Sequence, residues 1–267
     1  MEQVSCKICS SISNKIFNCL ILKKYNVNYY KCCKCDFIQT QKPFWLAEAY
    51  NSAITSLDIG LANRNIGLSI TVSAIISFFF VKKNKMIDYG GGYGLFVRLM
   101  RDRGFNFFRQ DIYCKNIFAN SFDIINLPEA TNFEILTAFE VFEHLEDPVA
   151  ELKKLLRYSS SILFSTMLQP QNNNLPLTPQ NWWYFAPEMG QHISIYTVNS
   201  LKILANKYNL NFYTNNVDIH LFTNKKINQT FFKMVCNYKI AKLILKFTDR
   251  GEGLLHTDYK YLQNNLL

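Results

Sequence analysis

Met86-Ile87-Asp88-Tyr89-Gly90-Gly91-Gly92-Tyr93-Gly94 decides how this chain reads. A short apolar run leads to an acidic residue, and glycines follow at alternate positions, 90, 92 and 94. Leu95, Phe96, Leu99 and Met100 then recur at helical spacing. The pattern predicts a strand, a tight turn and a helix. In such a turn the missing Cβ atoms let a ligand lie against the backbone.

The glycine spacing separates two kinds of cofactor. A dinucleotide fingerprint, G-x-G-x-x-G, counted from Gly90 needs its third glycine at position 95, which is leucine. Asp88 would repel a pyrophosphate and suits a cationic amino group. S-Adenosylmethionine carries such a group and a sulfonium. The D-x-G-x-G-x-G run from Asp88 to Gly94 resembles the first motif of class I S-adenosylmethionine-dependent methyltransferases. Phe105 to Gln110 reads as the next strand, ending at Asp111. An acidic residue about 20 positions past the glycines is where nucleotide-binding βαβ units grip a ribose diol. Asp88, Gly90, Gly92 and Gly94 are the expected seat of the methionine moiety, and Asp111 that of the ribose.

A further apolar run, Phe133 to Phe139, predicts a central strand, followed at once by Glu140-Val141-Phe142-Glu143-His144. Ligands sit outside the carboxyl ends of strands in open α/β sheets, so Phe139 and Glu140 are expected at the cofactor. This segment is similar to the post-motif segment of the same methyltransferases. The resemblance covers about residues 82 to 224. It implies a Rossmann-like, doubly wound seven-stranded sheet with the last strand antiparallel. His144 has three readings: a general base, since its reference pKa suits that task; a brace for the cofactor loop; or a metal ligand. The last follows from resemblance, because Glu140, Glu143 and His144 match an E-x-x-E-H run that binds a divalent cation in some quinone-pathway O-methyltransferases. His192 is a second candidate base, or else a histidine satisfied by backbone at a strand start.

Six of the eight cysteines fall in the first 35 residues. Cys6-x-x-Cys9 and Cys32-x-x-Cys35 are two knuckles, able to close a structural zinc site of four thiolates. Cys19 and Cys33 are spare. The apolar and aromatic residues between the knuckles suit a β-hairpin, so residues 1–42 are expected to form a zinc-ribbon-like unit. A redox C-x-x-C pair is the rival reading. Residues 43–81 read as a helical connector, 82–224 as the cofactor-binding methyltransferase domain and 225–267 as a basic helical tail.

With 267 residues, about half apolar, the chain can hold one α/β domain plus an appendage. The longest apolar run, 66–81, is interrupted by serines and threonine and is short for a membrane span. The start, Met1 to Ser5, lacks the basic and apolar segments of a signal peptide. A cytoplasmic protein with no membrane span is expected. The net charge of +9 comes from scattered lysines without an arginine run, so no nucleic-acid partner is expected. Residues 168–191, with four prolines and Trp182-Trp183-Tyr184-Phe185, read as a long functional loop walling an acceptor site. Together with W-L-x-x-A-Y at 45–50, that loop is similar to bacterial methyltransferases of polysaccharide and sugar biosynthesis. The similarity implies a sugar-nucleotide or glycan acceptor. A non-catalytic S-adenosylmethionine-binding regulator and a zinc-ribbon nucleic-acid methyltransferase are the alternatives.

Overall fold

The computed structural model describes residues 2–50, 58–170, 176–247 and 252–266. Parts of the expected connector (51–57) and of the aromatic loop (171–175) lie outside the described residues. The strands, in chain order, are β1 (Gln3–Ser5), β2 (Ile12–Ile21), β3 (Tyr25–Cys32), β4 (Ile38–Thr40), β5 (Met86–Tyr89), β6 (Phe107–Gln110), β7 (Leu136–Ala138), β8 (Ser161–Ser165), β9 (Ser194–Ile195), β10 (Asn211–Thr214) and β11 (Ile219–Thr223). The helices are α1 (Leu46–Ala49), α2 (Leu61–Phe79), α3 (Leu95–Asp102), α4 (Pro148–Leu155), α5 (Val198–Asn206), α6 (Gln229–Val235), α7 (Tyr238–Phe247) and α8 (Leu255–Leu266).

The larger sheet has the order β10-β11-β8-β7-β5-β6. β6, β5, β7 and β8 pair in parallel, and their side chains are almost all buried, as strands covered on both faces must be. β11, the last strand, runs antiparallel to β8, as expected. The seven-stranded expectation is corrected to six strands among the described residues. Outside β6 there is one bridge, Arg109 to Asp123, instead of a further strand. The segment that follows β6, residues 111–132, holds four Asn and two Asp and has no alternating apolar pattern. Its polar side chains bond locally instead, Asn116 Nδ2 to Asp123 Oδ2 at 2.9 Å among them.

α2 is apolar around most of its circumference and is buried along its second half. Its hydroxyls cost little there, because Ser69, Ser73 and Ser77 donate back to the carbonyls of Ile66, Ser69 and Ser73 at 2.6–2.8 Å. Among the described residues no helix is long and apolar enough to cross a membrane. In the described part of the tail, α6, α7 and α8 are helices. Asp258 of α8 is buried between Arg101, at 2.6 Å, and Arg98, at 2.9 Å, both on α3.

The N-terminal strands form a second sheet, β1-β2-β3-β4-β9. Its fifth strand comes from residues 194–195, far along the chain, which ties the knuckle unit to the rest. The aromatic loop serves this junction. Tyr184 and Phe185 are buried beside Tyr29, Trp45 and Ile195, while Trp183 is exposed. Phe185 packs edge-on to Phe17 and Tyr29. Two of the loop's four adjacent aromatic residues, Tyr184 and Phe185, therefore belong to the core at this junction.

Candidate functional site

The turn after β5 has the geometry its glycines imply. Gly90 and Gly94 hold φ of +68° and +83°. A Cβ on Gly94 would lie 2.4 Å from Asn116 Oδ1, and one on Gly90 would lie 2.8 Å from Val141 Cγ2. Asp88 is buried at the end of β5, where Thr137 Oγ1 of β7 donates to its Oδ1 at 2.6 Å. Burial, with the nearby Asp111 charge, lifts its carboxyl to about 7, against the pull of the Thr137 bond.

Asp111 stands at the end of the adjacent strand, as expected. Its Oδ2 accepts from Gly92 N at 2.9 Å, and its Oδ1 accepts from Tyr113 N and Cys114 N at 2.7 Å. Three of its roughly four acceptor positions are taken. These bonds lock the carboxylate to the glycine loop, and Arg109 Nη2 stands 3.9 Å from its Oδ1.

Arg109 was not singled out from the sequence. Its Nε donates to Gly92 O at 2.6 Å, its Nη1 to Asp123 at 2.7 Å, and its Nη2 to Cys114 O. One buried guanidinium thus ties the glycine loop to the turn after β6. The signal was there: a charged residue inside an otherwise apolar strand must find partners when buried.

Phe139 packs edge-on to Phe96. Glu140 follows with a left-handed φ of +55°. Its N–H donates to Ser165 Oγ at 2.8 Å, and that hydroxyl donates back to Glu140 Oε1 at 2.6 Å. Ser165, at the end of β8, was also not foreseen. Glu140 therefore faces Ser165 and stands apart from the donor cluster formed by its neighbours.

Glu143, His144 and His192 do come together: one donor atom from each lies within 4.8 Å of the others. The two rings meet edge to face with centroids 5.0 Å apart. His192 Nδ1 lies 2.6 Å from Tyr184 O, so that nitrogen carries the proton and Nε2 is bare. Glu143 is fully buried. Burial and the Glu140 charge raise its carboxyl to about 8. Burial lowers His192 to about 4 and His144 well below the usual histidine range. The expected grouping of Glu140 with Glu143 and His144 is thus replaced by one that takes in His192. Tyr50 stands 6.2 Å from the His144 ring and stacks on Tyr113, beside Asp111. The cluster and the glycine loop share one edge of the sheet.

Cys6, Cys9, Cys32 and Cys35 converge as well, with all four sulfurs within 4.8 Å of one another. The Sγ separations are 3.6 Å for Cys6–Cys35, 3.4 Å for Cys9–Cys32 and 3.6 Å for Cys9–Cys35. A tetrahedron of thiolates at the zinc–sulfur distance of about 2.3 Å has edges near 3.8 Å, so the set fits zinc. The residue after each knuckle, Ser10 or Asp36, takes a left-handed φ. The backbone N–H groups of Ile8 and Lys34 point at Cys6 and Cys32 sulfurs, 3.4 Å away.

Two cavities lie elsewhere. One, of about 350 Å³, is lined by Cys9, Lys34, Ile203, Asn206 and Lys207. The other, of about 220 Å³, lies between α8 and the outer face of β6.

A family model described as a methyltransferase domain matches residues 70–215, more than half of the chain. The chain belongs to this methyltransferase domain family. The matched span contains the glycine loop, Asp111, Glu140 to His144 and His192, and leaves out the cysteine knuckles. No curated protein matches the chain. Among solved structures, the methyltransferase domain is similar to CalO1, a methyltransferase in calicheamicin biosynthesis (13% identity, 68% of this chain and 60% of that one, TM-score 0.43). It is also similar to TnmH (16%, 68% and 62%, TM-score 0.46). A third is the plantazolicin methyltransferase BpumL (13%, 77% and 88%, TM-score 0.45). The chain spans about three fifths of the length of the first two.

Proposed function

We propose that the chain transfers a methyl group from S-adenosylmethionine to a small hydroxylated acceptor, with a sugar nucleotide or glycan as the class. The observation that carries this reading is the pair of sites at one sheet edge. Asp88, the glycine loop and Asp111 stand at the ends of β5 and β6, and Glu143, His144 and His192 gather beyond the neighbouring β7. The buried Asp88 suits the amino group of the cofactor, Gly90, Gly92 and Gly94 admit its methionine part, and Asp111 takes a ribose hydroxyl. Phe139 and Glu140 line the same edge.

The sulfonium is already activated, so the protein has to align acceptor oxygen, methyl carbon and sulfur and to keep water out. The acceptor oxygen forms the new C–O bond as the C–S bond breaks, and its proton leaves toward the Glu143–His144–His192 cluster. Zinc in the four-cysteine site is structural: four thiolates leave no open position. A nucleic-acid acceptor is disfavoured by what three of the four lysines between the knuckles do. Lys15, Lys24 and Lys31 pair with Glu2, Glu48 and Asp36, at 3.9, 2.8 and 3.0 Å.

Calorimetry with S-adenosylmethionine and with a nicotinamide dinucleotide tests the cofactor. Binding of the first alone is expected, and binding of the second alone sinks the reading. For the acceptor, His192→Ala is expected to lower turnover by roughly 10² to 10⁴ with cofactor affinity little changed. Unaltered turnover in that variant removes the cluster from the reaction.

A further inference from the structure

We infer that Glu143, His144 and His192 form a divalent-cation site, separate from the four-cysteine site, whose open positions take an oxygen of the acceptor. The inference deepens the proposed reaction and rests on it only for the identity of that oxygen.

Three features of the cluster point to an ion. The first is unmet bonding capacity. Both carboxylate oxygens of Glu143 and the Nδ1 of His144 are buried without a hydrogen-bond partner. The hydroxyls beside Glu143, those of Thr166 and Tyr184, bond each other at 3.2 Å, which uses one of their two protons and leaves no more than one for the carboxyl group's oxygens. Buried polar atoms are rarely left unpaired, and three in one cluster call for a common partner. The second is the way the rings are held. His192 gives its Nδ1 proton to Tyr184 O, and His144 bonds the Gln191 backbone while its Nδ1 stays bare. Each imidazole is thus oriented by a main-chain group and keeps one lone pair, the arrangement seen in metal-ligating histidines.

The third is the contrast with His220, also fully buried. Its two nitrogens are both used, by Thr214 Oγ1 at 2.8 Å and Thr166 O at 2.9 Å. This is how the fold satisfies a histidine with a purely structural role. The cluster differs in that donor atoms of Glu143, His144 and His192 converge within 4.8 Å of one another, with the Nδ1 of His144 unpaired. Two imidazoles and one carboxylate on one side of an ion leave the remaining positions open, and such a set suits zinc, iron(II) or manganese(II). Glu140 is not among the converging donors, and its Oε1 takes the Ser165 hydroxyl instead. With a cation held there the cluster would no longer be the proton acceptor: the ion would lower the pKa of a bound hydroxyl, whose proton passes to water. The resulting alkoxide then takes the methyl group while the C–S electron pair stays on sulfur.

The test uses the full chain, stripped by chelator and reloaded with zinc at the cysteines. Manganese(II), which thiolate sites disfavour, is then titrated and followed by the loss of the free-ion paramagnetic resonance signal. One ion per chain is expected. Glu143→Gln and His192→Gln are each expected to weaken binding at least tenfold, with zinc content unchanged. Manganese is also expected to raise the melting temperature of the native protein but not of either variant. Absence of manganese, cobalt and zinc binding beyond the cysteine site would overturn the inference, as would binding that survives both substitutions. S-Adenosylmethionine affinity is measured on the same samples. Cofactor binding without the cation sinks this inference alone. Cation binding without the cofactor supports it and sinks the proposed reaction.

Discussion

The hydroxyl of Thr137, on β7, donates to Oδ1 of Asp88, on β5, at 2.6 Å. This bond crosses between two parallel strands at the point where both end at the cofactor edge. It holds a buried carboxylate in one orientation before any ligand arrives. The site is therefore partly assembled by the sheet and does not depend on loops alone.

The Asp88 carboxyl gives the stability a defined pH dependence. Its folded value, about 7, lies above the ordinary 3.8, so the folded state binds the extra proton between these values. Stability from this group is present at low pH and is lost as pH rises from about 4 to about 7. Asp88→Asn removes it. In cofactor-free protein, native minus variant stability is expected to fall by up to about 4 kcal/mol across that window and to stay flat above it. Denaturant unfolding at a series of pH values checks this, and a difference independent of pH contradicts it.

Gly94→Ala is expected to eliminate cofactor binding. The new Cβ would meet Asn116 Oδ1 at 2.4 Å on a backbone with φ of +83°. Asn116 cannot simply retreat, since it bonds Ala119 N, Ala119 O and Asp123. The left-handed strain alone costs on the order of 1–3 kcal/mol. Calorimetry together with circular dichroism separates lost binding from lost folding, and native affinity in a folded variant would refute the expectation.

Arg109→Met leaves Asp123 without its ion pair and Gly92 O without its donor. Asp123 is 23% exposed and keeps its bond from Asn116, so the loss falls below the roughly 3–5 kcal/mol of a fully buried pair. A lower melting temperature and weaker cofactor binding are expected together. Should only the melting temperature move, Arg109 supports the fold without positioning the loop.

Cys32→Ser is expected to release the zinc, about one ion per chain, and to loosen β2 and β3. The effect should reach β9, which pairs with β4, and weaken the backbone around His192. Metal analysis and hydrogen exchange read the two effects. Protein that keeps its zinc after the substitution, or that never held any, contradicts the assignment.

Local pattern sufficed for the parts of this chain that local chemistry controls. The strand, turn and helix around Asp88 were legible because glycines at 90 and 94 and an apolar run before them allow few other conformations. The knuckles were legible because two thiols three positions apart turn toward one point. Asp111 and the terminal β10–β11 pair followed from the same reasoning. The seventh strand failed because resemblance suggested it, while the residues after Asp111 carry no strand pattern of their own.

What pattern could not show are contacts between distant residues. The aromatic loop looked like the wall of a pocket, since a sequence lists aromatic rings without saying what they touch. Folding turned Tyr184 and Phe185 onto Tyr29 and Trp45, more than a hundred positions earlier. That docking carries β9 to β4 and sets His192 beside Glu143 and His144, 48 residues away in the chain. Spacing along the chain specifies which backbone conformations are cheap, so it determined the cofactor loop and the cysteine knuckles. Only burial, decided by the packing of the whole chain, chose the neighbours of Glu143 and set its carboxyl group beside two imidazoles.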